Sequence, residues 1–175
     1  MKAIKRVRNK TLEWIQIGKF KREFELKSAE GLFGKLKWEK AFGSLASAVT
    51  TEGDWTFKRA GFLNPRVSVR IPGSDKDIAI FKPSWTGNGI LEFDTGTRFK
   101  WENKNFFRTE WVFVDQNEMN VLSIKMKPGL LKTSARVEIL RDVPEVSLLA
   151  SLGMYLIILM RDDSAASTAA IASSY

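Results

Sequence analysis

Lysine and arginine recur two positions apart along this chain, as Arg6/Arg8, Lys19/Lys21, Lys35/Lys37, Arg98/Lys100 and Lys125/Lys127. In an extended strand both members of such a pair face the same way, so each pair can offer two cations to the oxygens of a phosphate or a phospholipid headgroup. Lysine acts there as a point charge, worth about 1 kcal/mol per residue near an anionic surface. A plainer explanation of the same spacing is a solvated strand face that keeps the protein soluble and guards sheet edges. Both readings are open at this level. The candidate contacts for an anionic ligand are Lys19, Lys21, Lys35, Lys37, Arg98, Lys100, Lys125 and Lys127.

Other chemistries are poorly served. Histidine and cysteine are both absent, which excludes Ser-His and Cys-His nucleophile pairs, disulfides, and zinc sites built from imidazole or thiolate. An enzyme would have to work with carboxylates, Lys, Tyr or backbone groups, so no catalytic residue, metal or cofactor is expected. The segment DQNEMN (115–120) spaces oxygen side chains like a fragment of a calcium loop. It lacks the glycine and the distal bidentate Glu, and reads as a hairpin turn. GSDKD (73–77), with Asp75 and Asp77, reads as another turn. TGNGI (86–90) lacks the Lys-Ser/Thr of a phosphate loop and precedes a strand. Six Trp and twelve Phe are interleaved with cations, the composition of a stacking platform for single-stranded nucleic acid. Lining a core explains most of them, such as Phe24, Phe99 and Trp101, more simply.

The formal net charge of +8 is unevenly placed: residues 1–40 hold 12 Lys+Arg against 5 Asp+Glu. The first ten residues, MKAIKRVRNK, have no acid among them. They lack the apolar region and cleavage site of a secretory signal and are expected to remain in the mature chain. Such a segment suits anionic lipid, nucleic acid or an acidic partner, or simply a solvated end.

The elements that must position these residues are strands. Period-two alternation dominates from residue 10 to 140. It sets Phe24 and Leu26 against Glu23, Glu25 and Lys27, and Val67, Val69 and Ile71 against Arg66, Ser68 and Arg70. Phe99 and Trp101 stand against Arg98, Lys100 and Glu102, and Leu122, Ile124, Met126, Val137 and Ile139 continue the theme. Turn signals such as Asn64-Pro65, Pro72-Gly73 and Gly87-Asn88-Gly89 separate the runs into about twelve candidate strands with short connections. So many antiparallel strands must close on themselves or split into two sheets. A barrel of about twelve strands is too wide for its own side chains to fill.

One segment differs from all of these, VSLLASLGMYLIILM (146–160), uncharged and apolar around its whole circumference. As a helix it spans about 22 Å, short of the roughly 30 Å hydrocarbon core of a bilayer. Asp142 and Glu145 have the spacing of a capping box, Pro144 suits a first turn, and Arg161 suits a helix C-terminus. A helix apolar on every side must be covered on every side. Lipid does that for a tail-anchored protein, and the inside of a barrel does it for this one. The second arrangement also fills the barrel. The expected fold is mainly β, a closed antiparallel barrel of about twelve strands around a buried C-terminal helix at about 143–161. A single domain would span 1–163, with 164–175 a flexible Ala/Ser-rich tail.

This layout resembles the tubby C-terminal domain superfamily, which includes the LURP-one-related proteins and the phospholipid scramblases. The stretch GILEFDTGTRFKWENKNFFRTEWVFVDQNEMNVLSIK (89–125) has the cadence of the LURP-one-like members, and DVPEVSLLASLGMYLIILM (142–160) is similar to their terminal helix. The resemblance covers about residues 10–161 in layout and rests on pattern. It implies a barrel around a central hydrophobic helix. It also implies a non-enzymatic binding or scaffold role, with peripheral contact to phosphoinositide-type headgroups through surface cations and a cytoplasmic location. A tail-anchored membrane protein and a nucleic-acid-binding barrel are the alternatives.

Overall fold

The computed structural model describes residues 1–4, 11–18, 21–61, 63–129 and 132–172. These residues form twelve strands and one helix: β1 (Thr11–Gln16), β2 (Glu23–Ser28), β3 (Gly31–Trp38), β4 (Ala46–Thr50), β5 (Asp54–Ala60), β6 (Arg66–Arg70), β7 (Asp77–Pro83), β8 (Gly89–Phe93), β9 (Arg98–Asn103), β10 (Glu110–Val114), β11 (Asn120–Lys127), β12 (Ser134–Ile139) and α1 (Val146–Ala172). Each strand pairs antiparallel with its sequence neighbours, and β1 pairs with β12 to close the barrel. The expected mainly-β barrel with a C-terminal helix is the observed fold.

Alternation decides which side chains enter. Leu122 faces Ile139 and Ile124 faces Val137 across β11 and β12, and all four are buried. Phe24, Leu26, Val67, Val69, Phe99 and Trp101 are buried as the pattern requires. Ile71 is not: β6 ends at Arg70, and Ile71 starts the turn beyond it, half exposed. A bulge between Val69 and Arg70 changes the register there and sets Arg70 opposite Asp77. Asp77 therefore opens β7 rather than completing a turn. Its carboxylate accepts from Arg70 Nε at 2.5 Å and from Ser68 Oγ at 3.1 Å. The Arg70 bond, above all, holds its carboxyl below the ordinary carboxylate range.

The helix fills the barrel. Every residue from Val146 to Leu159 is buried, and no helix among the described residues is long and apolar enough to cross a membrane. Gly153 marks its closest approach to the wall. A Cβ built there would lie 2.5 Å from Ile124 Cδ1, 3.1 Å from Trp101 and 3.2 Å from Phe113. The wall also supplies polar contacts: Trp14 Nε1 donates to Ala150 O at 3.2 Å. Ser151 turns its hydroxyl onto Ser147 O of its own helix at 2.9 Å.

Both helix ends differ from the sequence expectation. No side chain among the described residues caps the start: Asp142 is exposed, and backbone bonds from Val146 to Val143 and from Leu149 to Glu145 make the entry turn. Nor does the helix stop at Arg161. It continues to Ala172 through an alanine-rich stretch of high helix propensity. Ser164, Ser167 and Thr168 bond back to carbonyls four residues earlier. Residues 173–175 lie outside the described residues.

Two consequences follow for stability. Truncation before Val146 empties the barrel, and each buried large side chain lost there is worth roughly 1.5–3 kcal/mol. The truncated chain is expected to show no cooperative unfolding transition in urea; a sharp transition would contradict the packing described. Gly153→Val should destabilise by about 2–3 kcal/mol, the scale of overpacking in a close-packed interior, measured from the shift in urea midpoint.

Candidate functional site

An antiparallel meander puts alternate connections at opposite ends of the barrel. β12 delivers the chain to the end that also holds the β2–β3, β4–β5, β6–β7, β8–β9 and β10–β11 connections, and α1 enters there. It leaves at the other end, among the β1–β2, β3–β4, β5–β6, β7–β8, β9–β10 and β11–β12 connections. Contacts confirm this direction. Tyr155 Oη donates to Ser44 O at 2.6 Å, and Arg161 Nη1 donates to Thr133 Oγ1 at 3.2 Å. Asp162 pairs with Arg22, and Asp163 accepts from Arg59 at 2.6 Å.

This clasp ties the helix to the exit connections and to β5. Arg22 also lies over the Trp38 ring at 4.6 Å, and Trp38 stacks on Tyr155 at 5.4 Å. Burial raises the Tyr155 hydroxyl well above its ordinary value. Desolvation raises the Asp162 carboxyl even against the opposing charge of Arg22. Its bond to Asp163 raises the Arg59 guanidinium. The two helix acids at the exit are thus matched by Arg22 of the β1–β2 connection and Arg59 of β5.

The candidate contacts read from the sequence are scattered, and most face a carboxylate. Lys35 and Lys37 stand opposite Glu25 and Glu23 on β2, at 3.7 and 3.3 Å. Arg98 grips Glu92 on β8 with two nitrogens, at 2.7 and 3.2 Å. Lys100 pairs with Glu118. Lys125 lies 3.2 Å from Glu110, and Lys127 lies 2.7 Å from Glu13. These are outward, half-solvated pairs of the kind worth little individually. Lys21 is exposed and makes no ion pair among the described residues. Lys19, Arg6 and Arg8 lie outside the described residues.

Charge gathers instead at the barrel ends. The exit connections carry Lys21, Arg22, Lys40, Lys104, Arg108 and Lys132 against a single described acid, Glu39. The entry connections carry Glu30, Glu52, Asp75, Asp94, Asp115, Glu118, Asp142 and Glu145 against Lys76 and Arg141. Lys2, hydrogen-bonded through its backbone to Leu32 O, also sits at the entry end. Lys21, Lys40, Arg108 and Lys132 are exposed and make no ion pair among the described residues.

The exit end also holds an open polar cleft of about 480 Å³, lined by Thr86, Asn88, Asn103, Asn105, Phe106 and Arg108. Its asparagines are committed to shaping loops. Asn88 Oδ1 accepts from Asn103 N, and Asn105 bridges Thr109 through both amide atoms. Arg108, at its edge, makes no ion pair among the described residues, and its φ of 52° is left-handed. It follows the turn closed by Arg108 N to Asn105 O at 3.1 Å, a position where glycine is the unstrained choice. Glu118 (φ 58°) occupies the same position in the 115–119 turn, where its strain accompanies a pair with Lys100. No such pair among the described residues accompanies Arg108.

Sequence reasoning missed the apolar residues of this end. Phe42, Leu63, Trp85, Phe106 and Phe107 are each more than four-fifths exposed. The available signal was their position: each sits inside a turn segment rather than on the apolar face of a strand. Among the described residues no group of His, Cys, Asp and Glu could hold a metal ion.

Fold and site together define a closed antiparallel barrel threaded by its own C-terminal helix, with one basic, apolar-tipped end. The chain is similar in structure to a protein from Arabidopsis thaliana solved by X-ray crystallography, with a TM-score of 0.59 and 13% sequence identity over 87% of this chain and 93% of that one. At that identity the likeness establishes the fold alone. No protein-family model and no curated protein sequence matches the chain.

The strain at Arg108 is directly measurable. Arg108→Gly should stabilise the fold by about 1 kcal/mol, the lower end of the cost of a left-handed non-glycine residue, read as a higher urea midpoint. No gain would show that Arg108 is held by contacts worth as much as its strain.

Proposed function

We propose that this protein is a non-enzymatic binding or scaffold protein of the tubby-like kind that docks peripherally on anionic phospholipid surfaces, from the cytoplasmic side, through its exit end. The observation that supports this reading is the contrast between the strand walls and the exit connections. On the walls, Lys35, Lys37, Arg98, Lys100, Lys125 and Lys127, among others, have carboxylate partners, whereas Lys21, Lys40, Arg108 and Lys132 gather at one end and make no ion pair among the described residues. A matched pair has little net field to offer a headgroup, and a cluster of unmatched cations has a great deal.

The test is co-sedimentation of the full chain with vesicles. Binding to phosphatidylserine-containing vesicles should weaken as salt rises, and neutral phosphatidylcholine vesicles should bind far less. At about 1 kcal/mol per cation, replacing Lys40 and Lys132 together by Ala should cost roughly 30-fold in affinity. Replacing Lys35 and Lys37 by Ala should cost under about threefold, since a matched pair contributes little net field. Equal binding to neutral vesicles, or equal losses from the two double variants, rejects the reading.

A further inference from the structure

We infer that the exit end does more than rest on headgroups: its loop tips Phe42, Leu63, Trp85, Phe106 and Phe107 insert into the interfacial layer of a lipid bilayer. The inference rests on the proposed docking end and adds the apolar half of the contact. Relative exposures of 93%, 87%, 106%, 94% and 82% mean that folding buries almost nothing of these side chains. They come from four different hairpin connections, and all four lie at one end. The entry end has no equivalent among the described residues. Its most exposed large apolar side chains, Met1, Ile71, Met119 and Leu140, are only about half exposed, at 53%, 53%, 48% and 44%.

Three observations select a bilayer as the occupant. The first is charge beside two of the four tip connections: Lys40 two residues before Phe42, and Lys104 and Arg108 on either side of the Phe106–Phe107 pair. Aromatic rings and flexible cations are the pairing that suits the boundary between hydrocarbon and anionic headgroups. The second is shape. The tips stand on separate turns with a polar cleft between two of them, and a fluid surface accommodates separate prongs without a complementary partner pocket. The third is the helix in their midst. Beyond Asp163 the sequence has no charged residue, and the hydroxyls of Ser164, Ser167 and Thr168 are internally bonded. From Arg161 to Ala172 this helix reaches about 16 Å, so a surface meeting the exit end meets it too. The only acids on its exposed part, Asp162 and Asp163, are already paired to Arg22 and Arg59.

Trp85 makes the inference testable in the unmodified full-length protein. The other tryptophans are buried, except the half-buried Trp55. With phosphatidylserine/phosphatidylcholine vesicles carrying brominated acyl chains, the emission should shift to the blue and be quenched, and Trp85→Phe should abolish most of both changes. Phe106→Ser with Phe107→Ser should weaken binding by roughly tenfold or more, since partial burial of two rings is lost, while the circular dichroism stays native.

Salt-sensitive vesicle binding without quenching of Trp85 would overturn insertion and leave headgroup docking standing. Unchanged affinity of the Phe106/Phe107 double variant would also overturn it. No binding to acidic vesicles would remove both readings. Concentration-dependent self-association that the tip substitutions abolish, with no quenching by lipid, would show that the tips join copies of this chain and would overturn insertion.

Discussion

The fit of α1 inside the barrel is the constraint on which the rest depends. A ring of twelve strands encloses more space than its inward side chains can fill, and a helix apolar around its circumference has no stable place on a surface. Each solves the problem of the other. The tolerance is tight where they meet, because Gly153 lets Ile124, Trp101 and Phe113 reach the helix backbone. Elsewhere the wall steps back with small inward residues such as Ala46, Ala48, Ala79 and Ala135 and comes forward with Trp14 and Phe57. Interiors packed to this density do not slide continuously, so the axial position of the helix is set by the wall.

A fixed axial position has a chemical consequence at the exit. It brings Tyr155 to Ser44 and Trp38, and it places Asp162 and Asp163 at the height of Arg22 and Arg59. The acids of the helix are therefore cancelled at the rim, and the unpaired cations of the connections keep their field. Had the helix ended at Arg161, Arg22 and Arg59 would lack these partners. The clasp is thus both a structural stop and a setter of surface charge.

Much of the barrel was legible because period two is a local signal. Phe24 and Leu26, or Leu122 and Ile124, announce a buried face without reference to their neighbours in space. The apolar run was equally legible, since its length and uniform circumference leave few environments. The basic pairs were legible as outward-facing but not as paired: that Lys35 meets Glu25, or Lys125 meets Glu110, depends on strand register, which no single run encodes. The helix extension was obscured for another reason. Arg161 looked like a terminus, whereas it reaches sideways to Thr133, and the alanines beyond it sustain the helix without an apolar face to reveal it. Phe42, Trp85, Phe106 and Phe107 went unassigned because period-based reading treats apolar residues as core candidates and has no category for one at the tip of a turn.

The distribution of charge among the described residues gives the barrel a direction. In the described connections acids collect where the helix enters and cations collect where it leaves, so these charges form a dipole along the barrel axis. Near an anionic surface such a body turns before it touches, because the nearer end is attracted and the farther end repelled. Salt shortens the range of that torque to within about 8–10 Å, which is less than the length of the barrel axis implied by α1. In the proposed docking, orientation and adhesion draw on the same few side chains, Lys21, Lys40, Arg108 and Lys132. The paired cations of the strand walls, such as Lys35 with Glu25 and Lys125 with Glu110, add little to either. The basic pairs read from the sequence therefore lie mostly on the walls, matched by acids, while the described exit connections hold six cations against one acid.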